Sequence, residues 1–350
     1  HTGFPALDVR MTAESIGWTT SQQTQAMQVI GQIESYIDVS FEVVEYPYEA
    51  DLVLVLTDDP SYRHFFFNNV ASTNPHVVGF STTHPDWTDT SIKPGGAAGA
   101  IITAGVAESL GLTPTHVTRI NTGEDYQATR MEGVFSEYDL GAWDLNQSIF
   151  TTQSSNLGWV TSPFGGPPRQ LYGFNKSLGA LDIAVLQQKY GSVANATGNT
   201  TYTLPQTNAG LQGWEAIWDT AGIDEIVYDG SADAVIDLRA ATLVYNQGGG
   251  GYISWVDGVH AGFTIAAGVD IENGRSGAGN DRLNGNALAN ILIGRAGDDV
   301  IEGGDGADDL RGGAGMDTVS YATSDAAVSV ILNTLTVSGG HADGDTISSF

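Results

Sequence analysis

Residues 276–320 read S-G-A-G-N-D-R-L-N (276–284), G-N-A-L-A-N-I-L-I (285–293), G-R-A-G-D-D-V-I-E (294–302), G-G-D-G-A-D-D-L-R (303–311) and G-G-A-G-M-D-T-V-S (312–320). These are five units in phase with a period of nine. They follow the pattern G-G-x-G-x-D-x-U-x, in which U is a large apolar residue. The sixth positions are Asp281, Asn290, Asp299, Asp308 and Asp317. The eighth are Leu283, Leu292, Ile301, Leu310 and Val319, all apolar. Each unit therefore predicts one turn and one short strand. Glycine allows the tight backbone that exposes carbonyl oxygens, and the sixth-position carboxylate adds a hard oxygen, a donor set suited to Ca²⁺.

A single turn cannot close around a calcium ion. In a parallel β-roll successive turns fall on alternate sides, so each turn stacks on the next but one. Asp281, Asp299 and Asp317 should line one edge, with Asn290 and Asp308 on the other. A flexible Gly/Asp linker would not keep an apolar eighth position in phase. The expected calcium positions in the repeats are Ser276, Ala278 and Asp281; Gly285 and Asn290; Gly294, Ala296 and Asp299; Gly303, Asp305 and Asp308; and Gly312, Ala314 and Asp317. The second unit lacks its Gly pair and its Asp, so weaker occupancy is expected there.

Composition narrows the setting. The 350 residues carry 13 Lys plus Arg and a net charge of −28, which argues against binding a nucleic-acid backbone. The excess of acid suits a protein partly neutralised by bound calcium. There is no cysteine, so disulfides contribute nothing. No apolar run approaches about 18 residues, so no membrane span is expected. Weak modular calcium sites fill at extracellular, millimolar calcium. His1 to Arg10 shows no signal-peptide pattern.

The length allows two domains. Residues 1–192 read as mixed α/β. Ser21 to Tyr36 has helical spacing at Ala26, Val29, Ile30 and Ile33. Val39 to Glu45 and Asp51 to Leu56 read as strands, the second nearly all apolar and so central. Ala97 to Leu112 is an apolar helix closed by Gly111, Ser154 to Tyr172 a Gly/Pro/Ser-rich loop, and Leu181 to Tyr190 a closing helix. Residues 193–350 turn to short β patterns and the repeats, with further strands expected at Ala327 to Leu332 and Leu335 to Val337.

Four further motifs occur in order. L-D-I-A-V-L-Q-Q-K-Y-G (181–191) is similar to L-D-I-A-A-x-Q-x-L-Y-G, and T-G-N-T-T-Y (197–202) to T-G-D-T-x-Y. I-W-D-T-A-G-I-D (217–224) is similar to I-W-D-A-G-G-x-D, and F-T-I-A-A-G-V-D-I-E-N (263–273) matches a lead into a roll. Together with the repeats, they resemble the serralysin-type metzincin peptidases. The resemblance implies an α+β metzincin-like domain over 1–192, followed by an all-β parallel β-roll, the RTX domain, over 193–350. It also implies one-step export directed by a C-terminal signal. None is obvious before Phe350, so the C-terminus is expected to be cut.

The zinc chemistry does not carry over. That family binds zinc through H-E-x-x-H-x-x-G-x-x-H, with the Glu as general base. Residues 104–114 here read A-G-V-A-E-S-L-G-L-T-P. Ala104, Glu108 and Pro114 stand at the histidine positions and Gly105 at the base. The family's T-V-M-S-Y turn is T-T-Q-S-S here, with Gln153 for Met and Ser155 for Tyr. One carboxylate cannot replace three imidazoles around tetrahedral zinc, so no zinc is expected. Glu108 and His116 could instead support general acid–base work in a rebuilt cleft; Glu108 as a helix polar group and His116 as a loop residue is the plainer reading. His64 is expected to serve packing or backbone, and His76 and His84 to lie in loops.

The resemblance also implies calcium ligands where the roll begins. Asp219, Gly222 and Asp224 match a D-x-x-G-x-D turn, Ala196 and Gly198 match the loop facing it, and Asp270 and Glu272 match a T-x-E pair. Asp343-Gly344-Asp345-Thr346 is similar to an acid turn of the kind that follows these rolls. The expectation is a secreted, calcium-loaded pseudopeptidase with a binding or structural role and an unknown extracellular partner. Two alternatives stay open: a hydrolase rebuilt around Glu108 and His116, and an adhesin or matrix fragment. The sequence leaves the oligomeric state open.

Overall fold

The computed structural model describes residues 7–12, 17–44, 50–59, 64–67, 76–116, 119–120, 127–128, 130–166, 172–209 and 212–350. Glu45 and part of the 154–172 loop lie outside them. The chain divides into two compact units. One comprises 1–194, 209–216 and 243–250; the other comprises 195–208, 217–242 and 251–350.

The first unit is mixed α/β. Its sheet contains β1 (Leu7–Thr12), β2 (Phe41–Val43), β3 (Leu52–Thr57), β4 (His64–Phe67) and β5 (His76–Ser81), in the order β2-β1-β3-β5-β4. All neighbours are parallel except β4, which runs antiparallel to β5. β3 is central, and Leu52, Val53, Leu54 and Leu56 are buried, as a strand covered on both faces requires. His76 opens β5 rather than lying in a loop.

Helix α1 (Thr20–Gly31) starts at a capping box in which Thr19 and Gln22 satisfy each other's backbone N–H groups. It buries Ala26, Val29 and Ile30 along one face. Helix α2 (Ala97–Ser109) has no polar face, and every residue from Ala97 to Glu108 is buried. Its small residues permit close contact. A Cβ on Gly105 would lie 2.6 Å from Val78 Cγ1 on β5. Gly111, at φ +108°, takes the left-handed conformation that ends the helix. The carbonyl of Leu110 accepts bonds from Lys189 Nζ (2.7 Å) and Tyr190 Oη (2.8 Å), both on helix α3 (Ala180–Tyr190). A cation at a helix C-terminus is favourably placed.

The second unit is built of short strands. Thr201–Thr203, Glu225–Val227, Asn273–Arg275, Ile291–Ala296, Asp309–Ala314 and Thr346–Ser348 form one sheet, parallel throughout. In a second sheet Ala234–Asp237, Arg282–Asn284, Val300–Glu302 and Thr318–Val319 are parallel; Ser254–Val256 runs antiparallel beside Ala234–Asp237, and Gly262–Ile265 antiparallel beside Ser254–Val256. Leu283 faces Ile301 on one sheet and Leu292 faces Leu310 on the other, so each repeat stacks on the next but one. This is the arrangement of a β-roll.

The eighth positions Leu283, Leu292, Ile301 and Leu310 are fully buried, as are Ile226 and Ile236 before the repeats. Each such side chain contributes roughly 1.5–3 kcal/mol on removal from water. Val319, in the last repeat, is only partly buried. Ser329–Ile331 and Thr336–Ser338 pair as an antiparallel hairpin whose Val330, Ile331, Leu332 and Leu335 are exposed.

Candidate calcium centre and the surroundings of Glu108

The sixth positions of the roll form two ladders, one for each sheet. On the first, Asp281 N donates to Asp299 Oδ1 (2.8 Å) and Asp299 N to Asp317 Oδ1 (3.0 Å). Ala234 N extends it backwards, donating to Asp281 Oδ1 (2.7 Å). On the second, Asn290 N donates to Asp308 Oδ1 (2.9 Å) and Asp308 N to Asp345 Oδ1 (2.8 Å). Thr200 N donates to Asp224 Oδ1 and Asp224 N to Glu272 Oε2, both at 2.7 Å. One carboxylate oxygen thus serves each rung.

At three of these acids the other oxygen is left over. Asp299 Oδ2, Asp308 Oδ2 and Asp317 Oδ2 are buried without a hydrogen-bond partner. An orphaned buried anionic oxygen is costly, and a cation is the natural remedy. Glycine keeps the space around these oxygens clear. A Cβ on Gly294 would meet Asp299 Oδ2 and the Gly312 carbonyl, one on Gly303 would meet Asp308 Oδ2, and one on Gly312 would lie 2.6 Å from Asp317 Oδ2. Carboxylate and carbonyl oxygens converge at these turns, and they fit a hard divalent cation.

The electrostatics agree. Burial, then the neighbouring acids Asp281, Asp317 and Asp298, pushes Asp299 up to about 6. Burial, then Asp345 and Asp305, pushes Asp308 up to about 7. Burial likewise raises Asp281 and Asp345. These acids resist ionisation until a positive charge joins them.

At the start of the roll, a Cβ on Gly222 would lie 2.7 Å from both Asp224 Oδ1 and the Gly198 carbonyl. Asp224 is raised by burial first, then by Asp219 and Glu272. Ala196 takes positive φ in the loop carrying Gly198. Gly198, Gly222, Asp224, Glu272 and Asp219 are therefore neighbours, while Asp270 is exposed. Among the described residues no three His, Asp or Glu side chains form a metal cage, so backbone carbonyls must complete any site here.

Asp345 as a rung, and the use of Asp224 and Glu272 as rungs of the same edge, were not read from the sequence. Residues 340–348 (G-H-A-D-G-D-T-I-S) nevertheless fit the nine-residue unit, with Asp345 sixth and Ile347 eighth. Ile347 is buried. The stretch 321–339 separates this unit from the repeats and hides the period. A ladder of fifth positions was missed too: Asn280 N donates to Asp233 Oδ1, Asp298 N to Asn280 Oδ1 and Met316 N to Asp298 Oδ1, each at 2.8 Å.

In the first unit, Ala104 and Glu108 occupy successive turns of α2. Glu108 Oε1 lies 3.2 Å from His64 Nε2 on β4. His64 is therefore a side-chain partner of the helix, which goes beyond the packing or backbone role expected of it. No hydrogen bond joins Glu108 to His116; Pro114 and His116 lie partly buried in the loop after α2. Gln153 Nε2 donates to the Ala104 carbonyl and to Thr152 Oγ1, both at 3.3 Å, and Gln153 Oε1 is buried without a partner. Buried Asp182 fixes this turn by accepting Thr151 Oγ1 (2.7 Å), Thr152 N (2.6 Å) and Gly179 N (3.0 Å). Ser155 follows, partly buried.

The RTX calcium-binding nonapeptide repeat model matches residues 271–287 and 284–319. Metalloprotease AprA of Pseudomonas entomophila is 37% identical over 116 residues, covering 32% of this chain and 23% of the relative. Serralysin of Photorhabdus luminescens is 39% identical over 182 residues, covering 52% of this chain and 32% of the relative. Serralysin of Proteus mirabilis is 35% identical over 123 residues, covering 32% and 23%. The chain thus spans about a quarter to a third of the length of these relatives. It carries RTX calcium-binding repeats and is similar, over part of its length, to serralysins.

Proposed function

We propose that this chain is a secreted, calcium-ordered protein in which a metzincin-like first domain keeps its shape without zinc and serves binding or structure. The orphaned, buried Oδ2 atoms of Asp299, Asp308 and Asp317 carry the calcium part of this reading. Calcium would be held by these carboxylates and the glycine-turn carbonyls, neutralise the acids and fix the turns. The start of the roll would take a further ion through Gly198, Gly222, Asp224 and Glu272, with Asp219 beside them. The repeats and the serralysin likeness support export to a calcium-rich exterior.

The α2 sequence supports the absence of zinc chemistry. Ala104, Gly105, Glu108 and Pro114 supply one carboxylate and no imidazole, and Gly105 has Val78 where a general base would begin. Metal analysis of the purified protein tests the reading. Several calcium ions without zinc are expected, with no cleavage of casein or gelatin when zinc is added. Stoichiometric zinc would contradict it.

The Glu108–His64 contact supports a second reading, a cleft rebuilt for acid–base chemistry. Its dyad is Glu108 with His64 in place of His116. A carboxylate that orients an imidazole can make it a general base. Hydrolysis of a peptide or ester panel that is lost in both Glu108→Gln and His64→Gln would establish this reading over the first.

A further inference from the structure

The roll's second turn differs from its neighbours. Asn290 is buried, but none of its side-chain atoms is orphaned. Its Oδ1 accepts Asn286 N at 2.8 Å. Its Nδ2 donates to the Glu272 carbonyl at 2.9 Å and to Asn286 Oδ1 at 3.0 Å. The rung is therefore inverted. Asp299 and Asp308 accept the N–H of the turn stacked before them, whereas Asn290 donates to that turn's carbonyl.

Asn286 completes the arrangement. It holds the second position of its unit, where Gly277, Gly304 and Gly313 stand in three of the others. Its Oδ1 also accepts Leu288 N at 2.9 Å. Its Nδ2 donates to the carbonyls of Leu238 (3.1 Å) and Ile271 (2.8 Å). Two neutral amides thus tie this turn to two other backbone segments, at Leu238 and at Ile271–Glu272. A buried network pays its way only when every member is satisfied, and both amides here are. At the turns of Asp299, Asp308 and Asp317 a carboxylate oxygen is left over for a cation, and Asp281, whose two oxygens accept from Ala234 N and Gly277 N, still brings a carboxylate; the Asn290 turn has neither a carboxylate nor a free oxygen.

We infer that the Asn286–Asn290 pair is a built-in substitute for calcium. This turn takes up no ion and stays ordered when the ion is removed, as a fixed seat beside which the calcium-dependent turns assemble. The inference rests on the calcium-ordered reading above and revises the weaker occupancy expected for Asn290 to none.

Hydrogen exchange on the full chain in excess chelator tests it, with native mass spectrometry counting the bound ions. The amides of Asn286 and Leu288 should exchange at least about tenfold more slowly than those of Asp281 and Asp299. Asn290→Asp should bind one more calcium ion than the wild type and should lose that protection in chelator. Asn286→Gly, which places there the residue found in three of the other turns, should lose protection at Leu288 and serves if Asn290→Asp folds poorly. Equal loss of protection at all turns would overturn the inference and leave calcium ordering standing. So would an unchanged ion count in a folded Asn290→Asp. Full protection everywhere in chelator would overturn both.

Discussion

The backbone N–H of Asp308 donates to Asp345 Oδ1 at 2.8 Å across 37 residues of sequence, where each repeat rung before it spans 18. Tyr321 Oη donates to the other oxygen, Asp345 Oδ2, at 2.9 Å. The turn at 343–345 thereby closes the edge that carries Asn290 and Asp308, and Thr346–Ser348 pairs with Asp309–Arg311 beside it.

Asp345→Ala should therefore loosen the Asp308 turn. Loss of hydrogen bonds to a charged group typically costs about 1.5–3 kcal/mol. The variant should need more calcium to reach the same thermal midpoint, whereas Asp325→Ala, on an exposed residue of the same stretch, should match the wild type. Equal calcium titrations for the two variants would count against the closing role.

The raised acids set a pH dependence. Asp299 and Asp308 move from 3.8 to about 6 and about 7, with burial the largest cause. Their protons are held more tightly in the folded state than in the unfolded one. The resulting stabilisation is fully present below the unfolded value and is lost as pH rises to about 7. In chelator, the roll should melt at a higher temperature near pH 5 than near pH 8, measured by circular dichroism. In calcium the order should reverse, because the ion binds the ionised carboxylates. A chelated melting point that climbs from pH 5 to pH 8 would contradict this assignment.

Gly105 offers a test confined to the first unit. A Cβ there would meet Val78 Cγ1 at 2.6 Å and Phe80 Cε1 at 3.1 Å. Gly105→Ala should cost about 1–3 kcal/mol through overpacking, despite the better helix propensity of alanine. Thermal denaturation of the variant should show a lowered midpoint. A stabilised variant would mean that α2 sits further from β5 than described. Any attempt to restore a zinc site that includes Gly105→Glu meets the same obstacle.

The roll was legible because its information is local. A nine-residue period, an apolar eighth position and a sixth-position acid predicted both edges and the 18-residue stacking of Leu283 on Ile301. Helix α1 was legible from its apolar spacing and α2 from its unbroken apolar run, with Gly111 marking the end of α2. Other features depend on residues distant in sequence. The place of β1 between β2 and β3, and the antiparallel pairing of the four-residue β4 on β5, are set by the sheet. The Glu108–His64 contact joins residues 44 apart, and nothing local announces it. The cap on Leu110 comes from Lys189 and Tyr190, about 80 residues away. Asp345 was recognisable as an acid turn, but the 321–339 interruption concealed its place in the ladder.

Asp299 and Asn290 should respond differently to truncation. Asp299 accepts the Asp281 N–H, donates its own N–H to Asp317 and keeps an orphaned oxygen for a cation. Asp299→Ala should weaken calcium affinity and remove a bound ion. Asn290→Ala should leave the ion count unchanged while lowering stability in chelator, through loss of the amide bonds. Isothermal titration with calcium separates the two. Identical curves would deny Asp299 its special place.

Differential scanning calorimetry of the whole chain, with calcium and then with excess chelator, tests calcium-dependent ordering most directly. The unfolding transition of the roll seen in calcium should fall in temperature and area on chelation and recover when calcium is restored. The transition of the first unit should remain. A thermogram unchanged by chelator would contradict the account, because the roll would then owe its order to packing and hydrogen bonds alone.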